Sequence, residues 1–398
     1  MSDSSTRLVR MTPRDPHEPG RTASTLELFF DLVFVVAVST ASAELHHALA
    51  EGHVRDGLIR YAVVFFGIWW AWMNFTWFAT SFDADDWLYR VLTVVQMGGV
   101  LTLAAGIEPT FQQNDYRILV FGYVIMRLAM VAQWLRASLA GGHTRRTTLT
   151  YAAGIALVQC LWLAWLLLSG TPAQVCLGVL IAAELAIPVI AEARGRTPSH
   201  PHHITERYGL FTLIVLGESL LASANAIFAA RSEQQAYGPL ISLAALVLTI
   251  TATLWWIYFW PEHHHCIGGM RRSLRYGYVH YIVFASAAAV SVGIEIQIDA
   301  LTGHSPLGTV GDGYAVAIPV AVFLLSLWWI AIREQADRMV RVVVPLAAAL
   351  ILVDPLLSTP ILSTAVILVL VVVALVWRPP VTASTAPGGH AAPRRGDG

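Results

Sequence analysis

The sequence predicts an all-α polytopic membrane protein with about 12 transmembrane helices arranged as two parallel six-helix repeats. Composition is the first reason. Of 398 residues, 56% are hydrophobic and 13% are charged, against about 25% charged in an ordinary soluble domain. Mean hydropathy is +0.60. The second reason is length: apolar runs of about 18 residues or more recur along the chain, each long enough to cross a hydrocarbon core of ~30 Å. The third is order, because the motifs of the first half return in the second. The ~10-residue alternating segments of a β-barrel are absent from the sequence.

Gly, Pro and charge punctuation places the spans at 24–49, 57–80, 86–107, 116–138, 147–169, 173–193, 204–229, 237–260, 273–297, 313–332, 340–357 and 360–377. The first run follows a polar segment, 1–23, and continues to about Leu49. That is longer than the apolar core of a secretory signal, so it reads as a retained helix. The eleventh span is interrupted by Pro345 and Pro355. The division is a tail at 1–23, a first half at 24–193, a linker at 194–203, a second half at 204–377 and a disordered tail at 378–398.

The halves match in order. Glu27 with "FFDLVFVVAVS" corresponds to Glu206 with "GLFTLIVLGES". Trp69-Trp70 returns as Trp255-Trp256, 186 residues later, and "GIE" at Gly106–Glu108 returns at Gly293–Glu295, 187 later. Six helices is an even number, so two copies share one orientation, and transporters built from parallel repeats often bind substrate between them. With the N-terminus inside, 20 Arg fall in inner segments and four (Arg55, Arg60, Arg117, Arg231) in outer ones. This bias predicts that both termini are cytoplasmic.

Every one of the 25 basic residues is Arg. Without lysine the chain cannot form a retinal or pyridoxal Schiff base or a Walker A site. Three scattered cysteines (Cys160, Cys176, Cys266) offer no disulfide framework and no CxxC pair. No HExxH, GxSxG or soluble catalytic domain is present. No enzymatic activity, cofactor or nucleic-acid partner is therefore expected, and the bilayer is the expected surrounding.

Charged groups inside the bilayer are costly and mark functional interiors. Glu27 and Asp31 share a helix face, with Ser24 and Glu27 fitting a capping box. Asp31, roughly 10 Å into its helix, reads as a cation or proton ligand or as the partner of an Arg on a neighbouring helix. Glu218 falls near the midplane on a stripe with Arg207, Phe211, Ile214 and Asn225. It reads as an exchanging carboxylate or as a structural partner, for which Arg127 is a candidate. Glu184, Gln96, Asn74 and His280 suit interhelical hydrogen bonding. Glu108 and Glu295 are expected at solvated helix ends, and the Trp/Phe clusters at 69–78 and 254–260 in interfacial belts. The "HPHH" at 200–203 and "HHHC" at 263–266 lack recognised ligand spacing, and no metal is expected.

The segments "ELFFDLVFVVAVS", "ERYGLFTLIVLGES", "LWWIYF" and "YGYVH" resemble the bacterial low temperature requirement protein A (LtrA) family across 24–377. The resemblance implies an integral protein of the bacterial cytoplasmic membrane linked to growth in the cold. It matches Glu27, Asp31, Glu206, Arg207, Gly217, Glu218, Ser219 and His280. The family's Asp after the aromatic run is replaced by Trp260-Pro261-Glu262. "FFD" downstream of Arg21 also echoes a potassium-channel family built from six-helix repeats. The resulting expectation is a secondary transporter of a small solute or ion, driven by protons or a monovalent cation. A passive cation channel and a non-transporting stress protein are the alternatives. Its ion-binding candidates are Asp31, Glu218, Glu27, Glu206, Arg207, Asn225 and His280.

Overall fold

A computed structural model describes residues 8–232, 237–303, 305–357 and 360–381. The tail expected from 378 onward lies mostly outside them. The described chain is helical throughout, with no strand among these residues. The long helices are α1 (Thr25–Ala50), α2 (Val54–Phe82), α3 (Trp87–Ala105), α4 (Arg117–Ser138), α5 (Arg145–Trp165) and α6 (Gly170–Glu192), followed by α7 (Pro201–Ser232), α8 (Tyr237–Phe259), α9 (Gly269–Thr302), α10 (Gly308–Leu327), α11 (Arg338–Val353) and α12 (Pro360–Trp377). Eleven spans among the described residues are long and apolar enough to cross a membrane, and α12 is a shorter apolar helix. The protein is a multi-pass membrane protein.

Local chemistry sets the helix starts. Ser24 Oγ accepts from Glu27 N while the Glu27 carboxylate accepts from Ser24 N, a complete capping box at the head of α1. Asp86 caps α3 and Asp337 caps α11 in the same manner. Two elements depart from the expected spans. The third span breaks at Gly106 into a short helix, Ile107–Gln113, closed by Asn114 at φ 56°. α9 continues to Thr302, beyond the expected 297, so Glu295 lies inside the helix rather than at a solvated end.

α2 is the central helix, packed against α1, α4, α7 and α9. Its Trp69, Trp70, Trp72, Phe75 and Phe78 are buried in the core, which corrects the expected interfacial belt. The second cluster differs: Trp255, Trp256 and Phe259 on α8 are exposed on the outer surface, while Leu254, Ile257 and Tyr258 turn inward. Composition was the same in both; the difference is that α2 is surrounded and α8 is not.

Lipid tails are as apolar as leucine, so close approach at small residues holds such helices together. A Cβ on Gly106 would collide with the backbone of Leu119 on α4, and one on Gly293 with Ala315 on α10. The two glycines of the paired "GIE" motifs thus do the same work in each half. The neighbours also follow the same order: α1 on α2 and α3, then α3 on α4, α4 on α5 and α5 on α6; α7 on α8 and α9, then α9 on α10, α10 on α11 and α11 on α12. The order is broken by α8 packing on α12 and α1 on α9.

The segment before α1 is strapped across the end of the bundle where α1 and α7 begin. Arg14 bonds Asp83 at 2.9 Å, Arg21 donates to the Thr80 and Ala79 carbonyls, and His200 meets the Glu18 carbonyl at 3.0 Å. Val9 N and Arg136 both donate to Asp86. Burial alone would raise the Asp86 carboxyl, but the hydrogen bonds from Arg136, Tyr89 N and Val9 N hold it below its usual range.

Candidate functional site: two charged layers on the α1–α7 seam

α1 and α7 lie side by side and run parallel. Their polar contacts fall at nearly constant separation in sequence: Glu27 with Arg207, and eleven to twelve residues further along each helix, Ser39 with Glu218. At 1.5 Å per residue the two layers are about 17 Å apart.

The first layer is closed and neutralised. Arg207, fully buried, donates Nη1 to Glu27 at 2.9 Å and Nε to Asp31 at 3.0 Å, with Nη2 also on Asp31. Trp72 Nε1 on α2 adds a third bond to Asp31 at 2.7 Å. His203 Nε2 approaches Glu27 at 3.3 Å. The guanidinium also lies about 6 Å from the Trp72 and Phe75 ring centroids, 6.0 and 5.9 Å. A planar fork on a carboxylate is the strongest common form of such a bond, and burial of charge is tolerated only with this degree of pairing. Glu206, beside Arg207, accepts from Ala23 N at 3.2 Å rather than joining this layer.

The second layer is acidic. Glu218 accepts from Ser39 Oγ at 2.6 Å, and among the described residues no cationic side chain is within ion-pair distance of it. Glu295 on α9 is close enough to act on it electrostatically. Glu295 also faces His46 Nδ1 at 3.6 Å, and His46 Nε2 is 2.7 Å from Asp299. Three carboxylates from α7 and α9 therefore gather around the His46 imidazole and the Ser39 hydroxyl of α1, with His47 also acting on Glu295.

The remaining candidates separate from this seam. His280 is fully buried in an aromatic box, bonded to the Tyr276 carbonyl at 2.7 Å and the Tyr258 hydroxyl at 3.1 Å. Asn225 is exposed, two turns beyond Glu218. Arg127 is not the partner of Glu218. It pairs with Glu184 at 2.9 Å, deep in the first half, where Trp70, Tyr123 and Gln159 donate to the same carboxylate. Sequence reasoning missed Ser39, His46, Asp299 and His203. Ser39 alone carried a signal, as the residue matching Glu218 when Glu27 is aligned on Glu206.

A cavity of about 150 Å³ lies near the same end as the first layer, between α2, α4, α5, α6 and α9, walled by Met73, Trp77, Trp134, Tyr151 and Tyr278 with Glu192. Arg196, Ser199, Gly269 and Ser273 belong both to it and to a wider vestibule of about 1050 Å³ beneath the N-terminal strap.

Fold and seam together define a multi-pass helical membrane protein with a polar interior. The chain belongs to the bacterial low temperature requirement A protein (LtrA) family, whose profile matches residues 22–375. It is also 28% identical over 247 residues to an uncharacterized protein of Rhizobium meliloti, an alignment covering 60% of this chain and 58% of the relative. The matched part is thus less than two thirds of that relative's length.

Proposed function

We propose that the protein is a secondary transporter of a small solute or ion, moving its cargo without chemical conversion, in the bacterial cytoplasmic membrane with both termini inside. The observation that carries this reading is that Glu218 has no cationic partner among the described residues: it is a carboxylate far along a membrane helix, bonded to one hydroxyl and flanked by a second acid. A charge of this kind is expensive in a bilayer unless it meets water, a proton or a cation. In this reading Glu218 is the coupling site for a proton or monovalent cation. The Glu27–Asp31–Arg207 layer is the gate on the cytoplasmic side, and the aromatic cavity with its vestibule is the solute path. The Arg distribution supports the orientation. The matched order of neighbours in the two halves supports two parallel repeats, and the family's name supports a role in growth at low temperature.

A passive cation channel is the second reading, favoured by the excess of carboxylates over cations in the second layer. Uptake into proteoliposomes across a solute panel, with and without a pH gradient, separates the two. A transporter shows saturable, gradient-driven uptake that Glu218→Gln abolishes. Single-channel currents that persist in Glu218→Gln would favour the channel, and wild-type uptake by that variant would refute the coupling role.

A further inference from the structure

The two histidine runs that the seam leaves unused come together at the rim of the vestibule. Each divides between inside and outside. In the turn His263–Cys266, His263 points inward, bonded to the Tyr258 carbonyl at 2.7 Å and the Tyr276 hydroxyl at 3.2 Å, and Cys266 is buried beside Gln335. In 200–203, His200 and His203 are tied to the strap, to Thr80 and to Glu27. The residues left facing out are His264, His265 and His202.

We propose that Glu262, His264 and His265 form a binding site for a borderline divalent metal ion of the Zn²⁺ class. One ligand atom from each lies within 4.8 Å of the other two. His265 Nε2 is 2.9 Å and His264 Nε2 is 3.8 Å from Glu262 Oε2. Tetrahedral zinc, with bonds of about 2.0–2.1 Å to nitrogen and 2.0–2.2 Å to oxygen, sets its ligand atoms about 3.4 Å apart, so side-chain rotation of about an ångström closes the site. Two imidazoles and a carboxylate are donors suited to zinc, copper or nickel rather than to calcium or magnesium.

The support beneath these ligands is fixed. Gln335 clamps the Glu262 backbone from both sides, accepting from its N–H at 2.9 Å and donating to its carbonyl at 3.1 Å. With His263 and Cys266 anchoring the same turn, the ligands project from a rigid base, which metal sites require. Three protein ligands leave a fourth position open, and one of them, His264, lines the vestibule. The ring of His202, in the first turn of α7, stacks on His264 at 4.1 Å between centroids, so an ion there would sit where the start of α7 meets the α8–α9 connection.

Isothermal titration with Zn²⁺ tests this on full-length protein purified without a histidine tag. The expected result is one zinc per chain at micromolar affinity or tighter, with a rise in thermal midpoint that EDTA reverses. His264→Ala/His265→Ala removes two ligands and is expected to weaken binding at least ~100-fold, the upper end of what second-shell losses cost. His53→Ala, an exposed imidazole outside the cluster, is expected to bind like wild type. The double variant's unchanged midpoint in EDTA would show that it folds. No zinc binding by wild type, or equal binding by the double variant, would overturn the proposal. Both readouts are independent of transport.

Discussion

The two layers of the α1–α7 seam both gather carboxylates but differ in what faces them. At the Arg207 layer, two carboxylates face one guanidinium and an indole, and every strong acceptor is taken. At the Glu218 layer, three carboxylates face two imidazoles, one hydroxyl and, among the described residues, no guanidinium. An acid inside a membrane helix therefore says little by itself. Its meaning depends on whether a fixed cation has been supplied. Where it has, removal of the cation is the damaging change; where it has not, the acid remains available to a mobile ion.

This comparison can be broken by mutation, with effects expected in descending order. Arg207→Met strands Glu27 and Asp31 in the core and is expected to cost about 3–5 kcal/mol, seen as loss of folded protein in detergent. Trp72→Phe removes one bond to the Asp31 carboxylate and is expected to cost roughly 1.5–3 kcal/mol, measured as a lower midpoint in a thermal unfolding scan. Asp86→Asn keeps a capping oxygen but removes the charge bonded by Arg136, at about 1 kcal/mol, and its effect depends on pH. Because Asp86 is held below the normal aspartate range, its contribution is complete above about pH 4 and falls away as pH drops through the folded value. The stability gap between wild type and Asp86→Asn should then narrow at low pH; a gap that widens there would contradict the assignment. Glu218→Gln leaves its Ser39 bond possible and strands no fixed cation among the described residues, so it should cost less stability than any of the three, about 1 kcal/mol or less, despite its position inside the membrane.

Much of the architecture could be read before the coordinates. Apolar run length located the helices because the bilayer fixes how long each must be, and α12 begins and ends where its run does. The Ser24–Glu27 box was legible because capping is local in sequence. The stripe holding Arg207 and Glu218 followed from helical periodicity. What periodicity does not supply is the identity of the facing helix. Arg127 was a plausible partner for Glu218 until α4 proved to face α6 and Glu184. The same gap explains why Trp69 and Trp255, alike in sequence, ended up in the core and on the surface. Glu295 was placed at a solvated end because α9 runs further than its most apolar stretch.

Carbodiimide labelling in the membrane, mapped by peptide mass spectrometry, tests the difference between the layers without requiring a known substrate. The reagent attacks carboxyl groups that no fixed cation holds and spares those locked in ion pairs. The account predicts modification at Glu218 and none at Glu27 or Asp31. Label on Asp31 with Glu218 untouched would contradict it.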